Sequence, residues 1–349
     1  MVLSRARWVT LFATCCATIS TAATTNAADP LFQSDAVLDV RIVMPLTTML
    51  SERPIEYELP GTLELTDADA AVQMFDVQLR TRGHFRRNKD VCKFPPLRIN
   101  FRTSQTRDTV FHKQDKLKLV THCQRSPGYE QTVLQEYIAY RILNLLTDTS
   151  FRVRLLRITY VDSAGTTDTL TRYGFLIEHK SRLAHRLDNA VIDTPSTRID
   201  SLMPGYTNLI SLFHYLIGNT DFSPIMAAAG ETCCHNHVLI GISDGPYRSV
   251  PYDFDQSGLV DPPHAITNPR FGLRNVRHRL YRGRCANNEQ LQASIELFLE
   301  KRAEIDALLA NDELLHAAPR RKMSAYIGAF YKTLQSPRKV ASRIAGKCI

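Results

Sequence analysis

The hydrophobic period of this chain changes once, and that change limits what it can fold into. Apolar residues alternate through AVLDVRIVMPL (Ala36–Leu46) and FDVQLRTRGHF (Phe75–Phe85). The same period of two appears in PLRINF (Pro96–Phe101) and KLKLVTH (Lys116–His122), so each predicts a strand with one buried face. YEQTVLQEYIAYRILNLL (Tyr129–Leu146) then carries apolar residues at helical spacing, which predicts one long helix with a core-facing side. FRVRLLRITYVD (Phe151–Asp162) and RYGFLIEHK (Arg172–Lys180) return to strand patterning around the turn DSAGTTD. After Lys180 the chain reads as mostly helical, with NLISLFHYLIGN (Asn208–Asn219) its most apolar helix, ending near Gly218. HVLIGI and YRSVPYDF form a hairpin pair through Ser243, Asp244 and Gly245, and helices are predicted over 287–316 and 320–334. The expected class is α+β: a mostly antiparallel N-terminal sheet with one helix over 29–183, and a helical half with a small hairpin over 184–349.

Residues 1–28 read as a secretory signal. Arg5 and Arg7 precede an apolar run from Trp8 to Ile19, and small residues lead to a cleavage position near Ala27 or Ala28. No later segment has some 18 unbroken apolar residues, so the mature chain is expected to lack a membrane span and to be secreted or periplasmic. It would carry 41 basic and 35 acidic residues, a net charge of +6, which suits an anionic ligand or surface without naming one. Zinc-finger spacing, a helix-turn-helix and RNA-binding aromatic motifs are all missing from the sequence, so nucleic acid is not expected as a partner. Beyond Cys15 and Cys16 six cysteines remain, enough for up to three disulfides in an exported chain, and 15 pairings are open. Adjacent Cys233 and Cys234 are expected to take different partners, one of them Cys285. A zinc site built on CCHNH is the competing reading.

GNTDFSPIMAAAGETCCHNHVLIGISDGPYRSVPYDFDQSGLVD (Gly218–Asp261) concentrates candidate chemistry. Asp221 follows the apolar helix, Asn236 precedes the first hairpin strand, and Asp253 follows the second. A hairpin brings the start of one strand beside the end of the next, so Asn236 and Asp253 fall at the same end. Asp253 and Asp255 face the same way along an extended chain. Two like charges on one side need a cation or an arginine between them. Hard oxygen ligands favour magnesium or manganese, with phosphate oxygens completing the shell.

The order Asp221, Asn236, hairpin, Asp253 resembles the catalytic half of the protein-kinase-like superfamily. It is most similar to the spore-coat CotH type, and more distantly to the HipA type. Motifs like Gly-Asn-x-Asp, His-Asn and (Trp/Tyr)-Asp-x-Asp occupy this position there. RTRGHFRR followed by CKFPPLRINF resembles the opening of CotH-type domains, and YGFLIEHK resembles the strand leading into a hinge. The resemblance spans roughly residues 75–285. It implies a two-lobed kinase-like fold and transfer of a phosphoryl or nucleotidyl group from ATP, with Mg2+ or Mn2+, to an unknown protein or small-molecule acceptor. Asp221 would be catalytic, orienting or deprotonating the acceptor hydroxyl. Asn236, Asp253 and Asp255 would hold metal, and Lys118, positioned by Glu136, would contact the phosphates together with Arg82. The sequence departs from the pattern in the insertion SPIMAAAGETCC between Asp221 and Asn236, and in the lack of a glycine-rich phosphate loop. Two further readings use the same residues: an inactive exported binding or envelope protein, and a metal-dependent hydrolase.

Overall fold

Seven strands close on themselves in the computed structural model, which describes residues 27–66, 71–228, 231–243 and 245–349. Leu38–Met44 (β1), Leu59–Thr66 (β2), Val72–Thr81 (β3), Leu97–Phe101 (β4), Lys116–Val120 (β5), Val153–Asp162 (β6) and Leu170–Ile177 (β7) form a barrel of order β1-β2-β3-β4-β5-β7-β6. Every pair is antiparallel except the closing one, where β1 runs parallel to β6 from Leu38↔Leu156 to Met44↔Asp162. This overturns the expected two-lobed, kinase-like fold with an antiparallel N-terminal sheet: the sheet is a closed, mixed barrel, accompanied by eight α-helices among the described residues. Periodicity identifies which face of a strand is buried, but it carries no information on which edges meet. The closing pair joins segments more than a hundred residues apart. β2, unassigned from sequence, is needed to complete the circle.

Alternation divides the side chains between two cores. Ile42, Leu63, Phe75, Leu117, Leu119 and Ile158 fill the barrel lumen with other apolar residues. Val153, Leu155, Phe175 and Ile177 point outward from β6 and β7. Pro127–Leu146 (α2) covers that outer wall on the crossover from β5 to β6, and its Leu134, Ile138 and Ile142 join the same core. The core continues through Pro204–Ile217 (α4), Leu291–Glu300 (α5), Arg302–Ala310 (α6) and Ala317–Leu334 (α7). Because Leu117 and Leu119 face inward, Lys116 and Lys118 face out, toward this second body of structure. The remaining helices are Leu46–Glu52 (α1), Lys180–Arg186 (α3) and Pro337–Arg343 (α8). The helix expected over 287–316 is broken: a 3-10 turn fills Cys285–Gln290, and the backbone bends at Lys301 between α5 and α6.

A three-stranded sheet orders Arg248–Pro251 (β10), His237–Gly241 (β9) and Ala190–Val191 (β8). The hairpin expectation holds in its register, Pro251↔His237 through Arg248↔Ile240. Its turn residue Asp244 lies outside the described residues, as does most of the expected signal. Among the described residues, no helix is long and apolar enough to cross a membrane.

The disulfides are Cys92–Cys123, Cys233–Cys234 and Cys285–Cys348. The expected bridge from Cys233 or Cys234 to Cys285 is therefore corrected, and so is the expectation of different partners for the adjacent pair. Cys233 and Cys234 are buried with Leu202 and Leu239. Cys285 instead meets the C-terminal segment, where its amide donates to Ile349 O and the Ile349 amide donates to Gly283 O. The disulfides are compatible with an exported protein.

Arg186 of α3 fixes the end of the barrel wall to the helical body. Its guanidinium bonds both oxygens of Glu178 and the carbonyls of Asp148 and Ser150, and both side chains of the pair are nearly inaccessible. Replacing Arg186 by Met leaves Glu178 charged and dry, which should lower unfolding free energy by about 3–5 kcal/mol. Denaturant titration checks this, and an unchanged midpoint would contradict it.

Candidate functional site

Helix α2 carries the buried side of the site. Glu136 and Tyr140 are one turn apart on the same face, and neither is accessible to solvent. The Tyr140 hydroxyl accepts a hydrogen bond from the Asp253 amide at 2.8 Å. Its ring lies 4.5 Å from the ring of Phe254, which is fully buried. Phe254 thus anchors Asp-Phe-Asp, and Asp253 and Asp255 stand close enough to interact electrostatically, although Asp253 has left-handed rather than extended backbone.

The other side is the open end of the hairpin. The Tyr252 amide donates to Asn236 O at 2.9 Å, so Asn236 and Asp253 sit one residue apart across the ladder end. Both have left-handed backbone, φ +54° and +65°, a conformation that non-glycine residues adopt sparingly and that concentrates at ligand sites. Asn236 donates through Nδ2 to Asp221 O and Oδ2. Since both partners are acceptors, the amide orientation is fixed and Oδ1 lies on its other edge. Asp221 also accepts from His235 Nε2 at 2.8 Å, and its own amide donates to Asn219 Oδ1. The hydrogen bond to Asp221 raises the pKa of His235. Sequence reading took His235 only as a candidate zinc ligand within CCHNH, not as the partner of Asp221.

The two loops that carry Asp221 and Asp255 are tied together. Gly258 N donates to Gly218 O, and Leu259 N to Ile217 O. A Cβ at Gly258, or at left-handed Gly218, would overlap the Tyr326 hydroxyl of α7. That hydroxyl donates to Arg277 O.

Charge in the dry corner is unbalanced. Arg86 Nη1 lies 3.9 Å from Glu136 and 3.7 Å from Asp255, and the same guanidinium donates to Thr121 O. Glu136 is therefore partnered by Arg86 and not by Lys118, a departure from the expected pair. Glu136 Oε1 has no hydrogen-bond partner. Burial, then Asp255 and Asp253, push the Glu136 pKa well above the usual carboxyl range. Burial and then Asp255 push Asp253 up to about 6. Burial alone would raise Asp255 too, but His264 and Arg86 outweigh it and hold Asp255 below its ordinary value. His264 Nε2 stands 3.7 Å from Asp255 Oδ2, an ion-pair distance rather than a hydrogen bond, and both its ring nitrogens lack hydrogen-bond partners. Nothing in the sequence around His264, which follows two prolines, signals this placement.

Beyond the carboxylates, a cleft of about 260 Å³ opens along the barrel wall. Phe151, Ile177, Val191, Val238 and Tyr252 give it apolar sides, and Glu178 to Lys180 pass along its edge. Lys118 Nζ sits 4.0 Å from the centre of the Tyr252 ring. Enclosure by protein, then repulsion from Arg82, lowers its pKa to about 7, while Asp253 opposes the shift. Lys118 stays open to water through the cleft mouth, which weakens that desolvation. Lys118 interacts electrostatically with Arg82 and Asp253, and Glu136 with Asp253, Asp255 and Arg82, with Asn236 and Asp221 at the adjoining hairpin end.

Among the described residues, no three His, Cys, Asp or Glu side chains form a ready-made metal cage. A magnesium ion held partly by substrate phosphates requires only one or two carboxylates. The orphaned Glu136 oxygen and the crowded Asp253 and Asp255 supply that donor chemistry, so the residues present fit such a cation.

Without a cation, Asp253→Asn should therefore raise thermal stability by a few degrees above pH 6. The sign follows from the raised folded pKa: the wild-type penalty is full above about pH 6 and disappears below the ordinary value near pH 4. Melting curves of both proteins across this range check it, and equal midpoints at pH 7 would contradict it. The sequence matches no known protein family and no characterised protein.

Proposed function

We propose that the cleft binds ATP together with Mg2+ or Mn2+ and transfers a phosphoryl, or nucleotidyl, group to an acceptor hydroxyl outside the cytoplasm. The observation that carries this reading is Lys118, which lines the apolar slot beside Tyr252 and interacts electrostatically with Asp253 and Arg82, groups that in turn interact with Glu136. The slot suits a nucleoside base, and Lys118 and Arg82 suit the phosphates. Asn236, Asp253 and Asp255 would hold the cation, with Glu136 behind them. The cation would neutralise charge on the phosphate oxygens. For phosphoryl transfer, the acceptor oxygen bonds to the terminal phosphorus as the bond to the bridging oxygen breaks, releasing nucleoside diphosphate. The acceptor proton passes to the Asp221–His235 pair, in which Asp221 orients the hydroxyl. The proposal rests on these side chains and not on the architecture around them. The disulfides support the extracytoplasmic setting, as would removal of residues 1–28.

Thermal shift tests binding: ATP with Mg2+ or Mn2+ should stabilise the protein more than either alone, in proportion to ligand over Kd. No shift would leave a non-catalytic exported protein, and a shift with metal alone would favour a hydrolase. In a radiolabelled transfer assay, Lys118→Ala should lower the rate about 100-fold, the usual order for one positioned group; an unaffected rate would overturn the role given to Lys118.

The raised pKa of His235 adds a pH signature. Protonated His235 holds the Asp221 carboxylate in an ion pair, so transfer should rise with pH as the imidazole loses its proton, around a midpoint above the ordinary value of about 6.5. His235→Gln should flatten this limb. Retention of the same limb in the variant would assign it to another group.

A further inference from the structure

Residues 262–290 contain six arginines and one acidic residue, Glu289. Among the described residues only Arg277 has an acidic partner there, Asp261 at 3.2 Å. Arg279 is committed to the backbone carbonyls of Tyr215, Leu216 and Tyr326. Arg282 donates to Thr220 O and Phe222 O, the two carbonyls flanking Asp221, and lies between the rings of Phe222 and Phe271. Burial, then repulsion from nearby Arg270 and Arg284, lowers the pKa of Arg282 to about 10. Asp221 lies close enough to oppose them. Arg270, Arg274 and Arg284 have no side-chain hydrogen bond or ion pair among the described residues. The first two are exposed and the third is half-buried. An unbalanced cationic loop is thus clamped, through Arg282, against the loop that presents Asp221.

We propose that Arg270, Arg274 and Arg284 dock an acidic polypeptide segment whose hydroxyl side chain is presented to Asp221. This rests on the reading of Asp221 as the acceptor-facing residue and names the acceptor class. Guanidinium groups bind carboxylates in a planar fork, and carboxylates on either side of a Ser or Thr would reach separate arginines while the hydroxyl enters the cleft. The Asp221 side chain is itself 42% exposed beside His235, so a polypeptide hydroxyl held by the arginines can reach it, and an anionic membrane surface is the alternative that the test separates.

The test uses fluorescence anisotropy on the full disulfide-bonded protein. One labelled peptide has a Ser flanked by Asp and Glu, and its control has Asn and Gln at those positions. The acidic peptide should bind at least about tenfold more tightly than the control, and more weakly at about 200 mM than at about 50 mM salt. The triple variant Arg270→Glu, Arg274→Glu, Arg284→Glu should lose this preference. An Arg→Gln triple, made alongside, keeps the test valid if the first variant misfolds. Equal affinity for the two peptides, or unchanged affinity in folded variants, would overturn the proposal. Binding only to vesicles of anionic phospholipid would overturn it in favour of a membrane surface. The ATP thermal shift, measured on the same samples, separates the two readings. Peptide binding without it leaves the docking surface and removes the nucleotide. A nucleotide shift without peptide preference removes the docking surface alone.

Discussion

Three carboxyl groups share one dry corner of this protein, and the groups set against them do not bring the corner to rest. Like charges in a poorly hydrated site repel, and here burial and the neighbouring carboxyl groups push the Glu136 pKa well above the usual carboxyl range and raise Asp253. A fold tolerates such a cluster only where its backbone has no freedom to relax. Phe254, the Tyr140 hydroxyl and the paired ends of the loops supply that constraint. The unfavourable contact is therefore a property of the whole arrangement, since Glu136 is placed by α2 and the Asp253–Asp255 pair by the loop after β10.

Helix α2 makes this placement possible. It is buried along most of its length because it lies between the barrel's outer wall and the helical body. A glutamate on such a helix has no surface to retreat to. The closed barrel contributes stiffness: a sheet without open edges cannot splay, so the outward-facing Lys118 keeps its position opposite the hairpin. Mixed pairing at β1 and β6 is the geometric condition for that closure.

What could be read from the sequence was local. Strand faces of β3, β4 and β5, the extent of α2 and the stop at Gly218 follow from periodicities of two and 3.6 and from turn chemistry. The common end of Asn236 and Asp253 follows from hairpin geometry alone. The misses were long-range. Barrel closure joins Leu38 to Leu156, and the bridge at Cys285 goes to Cys348 because a terminal segment folds back on Gly283. The Arg86 that takes Glu136 from Lys118, and the His264 beside Asp255, come from loops distant from their partners in sequence. No spacing rule connects such residues, and only packing of the finished molecule brings them together.

Tyr326 shows how far the site's support extends. Its hydroxyl occupies the space that a methyl group would need at Gly218 and at Gly258, one glycine on each loop of the site. These three positions can therefore drift only in concert. Alanine at Gly258 would also meet the backbone of Val276 and Arg277, so a lineage that acquired it would have to shift the loop even without the tyrosine's oxygen. Covariation between α7 and the two turns that carry Asp221 and Asp255 is the evolutionary signature that this packing would leave.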